Sequence, residues 1–154
     1  MKINFNHRLI VCKSHIPSFL VLGLILCSPA MVYSETLNWH PWSDQTFQQA
    51  KQDNKLVLLD LSTKWCQFCE KMHNTTYRDP MVISTLNDNY LVIKVNETDV
   101  PSLTQKYQHD GRTTTVIFSP DGSEIIKHVG YIRPQRMNWM LQTVSLKPHA
   151  EAHL

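Results

Sequence analysis

Cys66 and Cys69 are the residues of this chain best suited to chemistry. They stand two apart in Cys66-Gln67-Phe68-Cys69. The other two cysteines, Cys12 and Cys27, lie in an N-terminal stretch that reads as an export signal. A structural disulfide gains most from closing a long loop. Two cysteines this close, alone in an exported domain, point instead to redox or metal chemistry. Disulfide exchange needs a thiolate, and a cysteine near its ordinary pKa of about 8.5 supplies little of it at neutral pH. A helix N-terminus favours the thiolate, because its unpaired backbone N–H groups and its dipole attract negative charge. Cys66 is expected at such a terminus and Cys69 one turn further in. Cys66 is therefore the expected attacking sulfur, and Cys69 the thiol that resolves the mixed disulfide. Trp65 is expected to form an apolar wall beside them. This chemistry calls for no cofactor.

Asp60 is the second informative residue. It interrupts the apolar run Lys55-Leu-Val-Leu-Leu-Asp-Leu61, six positions before Cys66. An acid in such a strand tends to hold its proton, and it is expected to accept one from Cys69 as that thiol becomes a nucleophile. Lys94 sits similarly inside Tyr90-Leu-Val-Ile-Lys-Val95 and is expected to pair with Asp60 through the sheet; the alternative is a lysine pointing to the surface. His73, one turn beyond Cys69, reads as a solvated helix residue, with tuning of the thiolate pair as the other possibility. A competing chemistry is metal binding. Cys66, Cys69 and His73 form Cys-x2-Cys-x3-His, and His109 precedes the segment around Thr113. Thiolates and imidazole suit zinc or copper(I), and His149 and His153 add a further pair in the tail. Covalent c-type haem is excluded, because Glu70 rather than His follows the second cysteine. A non-enzymatic interaction or chaperone module is a third class, against which the retention of both cysteines argues.

The elements that must position these residues follow from periodicity. Leu37 to Trp39 reads as a short strand, and Asp44 to Asp53 as a helix capped by Ser43, with Phe47 and Ala50 on one face. Residues 55–61 suit a central strand covered on both faces. A helix follows from Cys66 to Asn74, and another opens at Asp79-Pro80, where proline is tolerated. Residues 90–95 form the next strand and Pro101 to Tyr107 a helix. Residues 114–118 and 124–129 flank Ser119-Pro-Asp-Gly-Ser123 and are expected to form an antiparallel hairpin. Pro134 to Leu146 closes as a helix, with Met137, Met140, Leu141 and Val144 inward. The order β-α-β-α-α-β-α-β-β-α gives an α/β fold, a mixed sheet flanked by helices.

Domain organisation is expected to be simple: a signal peptide over 1–34, one domain over 35–148 and a flexible tail over 149–154. Lys2, Arg8 and Lys13 precede the apolar core Ser18-Phe-Leu-Val-Leu-Gly-Leu-Ile-Leu-Cys27, which is too short for a comfortable membrane span. Cleavage is expected after Ser34, with an uncleaved anchor or a lipoprotein signal ending at Cys27 as alternatives. Of 15 basic and 13 acidic residues, these three bases lie in the leader, so the overall charge of +2 becomes −1 without them. The remainder has no electrostatic reason to seek nucleic acid.

The run Leu56-Val-Leu-Leu-Asp-Leu-Ser-Thr-Lys-Trp-Cys-Gln-Phe-Cys-Glu-Lys-Met72 resembles the active-site strand, motif and helix of the thioredoxin superfamily. The nearest flavour is the thioredoxin-like C-terminal domain of DsbD-type thiol:disulfide interchange proteins. Trp39, Tyr77-Arg-Asp-Pro80, residues 90–95, Ser119-Pro-Asp-Gly122 and Val129-Gly-Tyr131 follow in the same order, so the resemblance covers roughly Leu37 to Leu146. It implies a thioredoxin-like fold and an exported thiol:disulfide oxidoreductase acting on protein thiols and disulfides. It also implies that Cys66 is the nucleophile, Cys69 the resolving thiol, Asp60 the buried acid and Lys94 its basic neighbour. Uncharged Gln67 and Phe68 favour a moderately reducing pair, hence a periplasmic reductase or disulfide relay fed by a membrane-bound electron donor.

Two positions depart from that family. Position 73 tends to be acidic there and is His here. The family's cis-proline facing the cysteines falls at Thr113, in Gly111-Arg112-Thr113-Thr114-Thr115. A cis bond before a non-proline residue costs about 3 kcal/mol. Arg112–Thr113 is thus expected either as a trans bond in a rearranged loop or as a strained cis bond. Arg112 and Thr113 are the expected substrate-docking residues, facing Cys66 across the site.

Overall fold

Ser43 starts the first helix with its own side chain: its Oγ accepts the Thr46 N–H at 3.2 Å. This satisfies one of the free donors at a helix start. Asp79 does the same further on, its Oδ1 accepting the N–H groups of Met81 and Val82 ahead of Pro80 at the first helical position. Such local signals, with the apolar runs between them, set the elements of the computed structural model, which describes residues 35–63, 65–107 and 113–148. The chain divides into two units, Met1–Val32 and Tyr33–Leu154, and every described residue belongs to the second. The expected leader and tail, together with Arg112 and His109, lie outside the described residues.

The elements are β1 (Trp39–His40), α1 (Asp44–Gln52), β2 (Leu56–Ser62), α2 (Gln67–Asn74), a 3-10 turn (Thr76–Arg78), α3 (Pro80–Asn89), β3 (Tyr90–Asn96), α4 (Pro101–Tyr107), β4 (Thr114–Phe118), β5 (Glu124–Val129) and α5 (Pro134–Leu146). The strands form one sheet in the order β1-β3-β2-β4-β5. β1, β3 and β2 run parallel, while β4 is antiparallel to β2 and β5 antiparallel to β4. This is the expected α/β architecture with a mixed sheet. It differs in two details. The first strand is only Trp39–His40, and the 3-10 turn after α2 has no counterpart in the sequence expectations.

Alternation along β2 divides the core in two. Leu56 and Leu58 pack with Met72, Val82, Leu86, Met137, Leu141 and Val144, on the side covered by α2, α3 and α5. Val57, Leu59 and Leu61 pack with Ala50, Leu103 and Tyr107, on the side of α1 and α4. Every residue of β2 is buried, which explains its continuous apolar run. Asp60 has the parity of Leu56 and Leu58 and faces the α2 side. In the register of β3 and β4 its neighbours are Lys94 and Thr115. Among the described residues no helix is long and apolar enough to cross a membrane.

Candidate functional site

α2 begins just beyond the C-terminal end of β2, and Cys66 is its N-cap. Its Sγ accepts the Cys69 N–H at 3.2 Å, and its carbonyl accepts the N–H groups of Cys69 and Glu70, both at 3.1 Å. A sulfur in this place is surrounded by the positive end of the helix, which favours thiolate over thiol. Cys66 and Cys69 are joined as a disulfide with a Cα–Cα separation of 5.2 Å. The two sulfurs differ in access. Cys66 is half-buried, whereas the Cys69 residue is only 5% exposed. An incoming group meets Cys66 first, and Cys69 is held behind it.

The disulfide opens on a shallow cleft of about 500 Å³. Its walls include Trp65, Gln67, Glu70, His73, Lys94 and Asn96. Trp65 does stand at this cleft, but it is no packed wall: its residue is 99% exposed and its backbone is left-handed, with φ of 69°. Phe68 is also exposed. Two large apolar side chains thus face solvent next to the reactive sulfur.

Asp60 lies beneath α2, 1% exposed. A buried carboxylate needs hydrogen-bond partners, and both of its oxygens have one. Oδ2 is 2.9 Å from His73 Nε2, and Oδ1 accepts from Thr113 Oγ at 3.2 Å. His73 is therefore not a solvated helix residue. Its side chain is 23% exposed, and its ring packs against Trp39 at 5.6 Å and Tyr77 at 5.3 Å between centroids. The Tyr77 and Thr115 hydroxyls are buried at the same place without completing a hydrogen bond of good geometry. Burial, with the negative charge of Asp60 beside it, holds the Tyr77 phenol proton well above the ordinary tyrosine range.

Lys94 occupies the expected register position opposite Asp60, but its side chain is exposed and lines the cleft. The hydrogen-bond partner of Asp60 is His73 and not Lys94. The physical reason is coverage. α2 closes over Asp60 and presents His73 to it, while Lys94 sits where the sheet is left open. Thr113 differs from expectation more sharply. It is fully buried, its hydroxyl turns to Asp60, its carbonyl accepts the Gly130 N–H at 2.7 Å, and it does not line the cleft. Its side chain is spent on Asp60. The Arg112–Thr113 peptide bond and the expected role of Arg112 lie outside the described residues.

The metal alternative finds no cluster: among the described residues no three His, Cys, Asp or Glu side chains are grouped to hold an ion. His109, His149 and His153 lie outside them. His73, the one described histidine of the proposed set, has Nε2 committed to Asp60. The arrangement as a whole suits thiol–disulfide exchange: an accessible sulfur on a helix terminus, a second sulfur behind it, and a buried acid–base pair below. Sequence reasoning underrated His73 and missed Tyr77, Thr115 and the inward turn of Thr113. The usable signal was that Thr115 pairs with Asp60 and that Thr113, just before β4, has the parity of Thr115.

Comparison with known proteins agrees with this geometry. The chain is 29% identical over 93 residues to an uncharacterized protein of Caenorhabditis elegans, covering 55% of this chain and 13% of that one. It is 28% identical over 106 residues to the thiol:disulfide interchange protein DsbD of Photorhabdus laumondii, covering 66% of this chain and 18% of DsbD. The chain thus spans less than a fifth of these relatives. Its fold matches the solution structure of a thioredoxin from Thermus thermophilus with a TM-score of 0.67 at 21% identity, over 77% of this chain and 94% of the other. The thioredoxin-like fold and the DsbD-like relationship inferred from the motifs therefore hold. A family model matches residues 30–143, and by that match the chain belongs to the Thioredox_DsbH family, proteins of unknown function (DUF255).

Proposed function

We propose that this chain is a thiol:disulfide oxidoreductase that works outside the cytoplasm on protein thiols and disulfides. The observation that carries the reading is the Cys66–Cys69 disulfide at the start of α2, with Cys66 the more accessible sulfur and the N-cap. In the reducing direction, the Cys66 thiolate attacks a substrate disulfide and forms a mixed disulfide. Cys69 then attacks Cys66 Sγ, leaving the enzyme disulfide and a substrate thiol. Exposed Trp65 and Phe68 beside Cys66 suit contact with an apolar, extended protein segment. Gln67 and Phe68 bring no charge between the cysteines, which favours a reductase or disulfide relay over a strong oxidant. Outside the cytoplasm such a reductase needs a membrane-bound electron donor. The export component rests on the basic and apolar pattern of residues 1–34.

The test is a trapping experiment. Cys69→Ser is expected to accumulate mixed disulfides with substrate protein, and Cys66→Ser none. Equal trapping by both variants would overturn the assignment of roles. Mass spectrometry of protein recovered from the periplasm is expected to show an N-terminus close to Glu35. A full-length product confined to the cytoplasm would sink the export reading.

A further inference from the structure

We propose that His73 is the residue that takes the Cys69 proton, and that Asp60 acts on the cysteines only through His73. The role presupposes the thiol–disulfide exchange described above. Asp60 is 1% exposed, and its two oxygens are engaged by Thr113 and His73. His73 and Cys69, by contrast, both line the cleft. They stand four apart on α2, a spacing that puts them on one helix face with Cβ atoms about 6 Å apart. His73 thus joins the cleft that holds Cys69 to the buried acid.

The ring is prepared for that task. Trp39 and Tyr77 fix its plane. Nε2 meets a carboxylate oxygen of Asp60, which accepts but cannot donate when ionised, so Nε2 carries the hydrogen and Nδ1 keeps a lone pair. The charged and titratable groups around the imidazole are Asp60 from β2, Tyr77 from the 3-10 turn, Lys94 across the cleft from β3, and Glu70 on its own helix. In the reducing direction the step balances as follows. The Cys69 S–H gives its proton to His73 Nδ1, directly or through one water. The Cys69 thiolate attacks Cys66 Sγ, the Cys66–substrate S–S bond breaks, and the substrate leaves as a thiolate. The imidazolium then returns the proton to that thiolate. Two electrons pass from the cysteine pair to the substrate disulfide, and no other reactant is needed.

Single-turnover kinetics on the full chain separate the first attack from resolution. His73→Gln keeps an N–H for Asp60 but cannot carry a proton. It is expected to slow resolution at least about tenfold, the low side of acid–base contributions, and to change the first attack by less than about twofold. It is also expected to remove a step from the pH profile of resolution. Added imidazole is expected to restore part of the rate in His73→Ala, because the cleft is open to small molecules. A purely structural histidine would show neither the lost pH step nor the rescue. A second measurement needs no variant: the 15N shifts of the His73 ring should titrate differently in the disulfide and dithiol forms. Resolution by His73→Gln at the wild-type rate and pH dependence would overturn the proposal, as would identical His73 titrations in the two forms. If the wild-type chain forms no mixed disulfide at all, the oxidoreductase reading itself falls, and this role with it.

Discussion

Thr113 and Thr115 offer a matched pair of substitutions. Both are fully buried threonines, two residues apart, and both face the Asp60 side of the sheet. They differ in partner: Thr113 Oγ donates to the Asp60 carboxylate at 3.2 Å, whereas Thr115 Oγ has the neutral Tyr77 hydroxyl near it with no hydrogen bond of good geometry. Valine replaces either with almost no change of volume, so no large cavity opens. A hydrogen bond to a charged group contributes about 1.5–3 kcal/mol. The Thr113 bond is longer than the usual O–H···O distance of about 2.8 Å, which places it at about 1.5 kcal/mol, the lower end of that range. Thr113→Val also leaves one oxygen of the buried carboxylate without its donor. For a domain slightly above 100 residues, about 1.5 kcal/mol corresponds to a fall of roughly 6 °C in Tm. Thr115→Val removes only a poorly aligned contact with the neutral Tyr77 hydroxyl, so its cost is expected below about 1 kcal/mol. Urea and thermal unfolding of the oxidised proteins at pH 7 read both values. Equal destabilisation by the two valines would refute the claim that the Thr113–Asp60 bond matters. A double-mutant cycle of Thr113→Val with Asp60→Asn then isolates the pair.

Trp65→Gly is expected to stabilise the oxidised protein by about 1 kcal/mol, because a left-handed backbone is strained for tryptophan and its exposed ring has little packing to lose. The same variant is expected to lower kcat/KM for a protein disulfide more than for a small aromatic disulfide, measured side by side. Lys94→Met is expected to leave stability within about 0.5 kcal/mol of wild type, since the side chain is exposed and makes no ion pair with Asp60; a larger loss in urea melts would restore the cross-strand pair. Burial, with Arg136 nearby, holds His128 below the ordinary histidine range. The unfolded chain then binds its proton first as pH falls, so stability declines below about pH 6.5. His128→Gln is expected to flatten that part of the stability–pH curve.

The fold was legible where burial writes itself into composition. β2 is covered on both faces and therefore reads as an uninterrupted apolar run with one acid in it. Pro80, Pro101 and Pro134 each stand at a helix start, and the Ser119–Ser123 turn separates two strands that do pair. Cys66 and Cys69 were legible for the same kind of reason, because a helix start has a local signature. What could not be read was which side chains meet across elements. Lys94 and Asp60 do lie opposite each other, as their strands imply. Register does not say which of several neighbours a helix will cover, and α2 covers Asp60 while leaving Lys94 in the open. The 3-10 turn that brings Tyr77 under Trp39 has no periodicity long enough to be seen in advance.

The two departures from the DsbD-type pattern, His73 and Thr113, looked unrelated in the sequence, one on a helix and one in a loop. In space they share Asp60. Each supplies what the more usual residue would not. A proline at 113 has no hydroxyl to donate, and a carboxylate at 73 would stand against Asp60 as a like charge, which disfavours ionisation of one of the two. With histidine and threonine, both oxygens of the buried acid are satisfied, and one of the partners is an imidazole that lines the cleft. A like-charged pair and a doubly hydrogen-bonded carboxylate are different solutions to one problem, keeping a proton acceptor under a disulfide without leaving a buried charge alone. Thr113 is then one half of the hydrogen bonding of this buried acid, and its counterpart is the histidine one turn beyond Cys69.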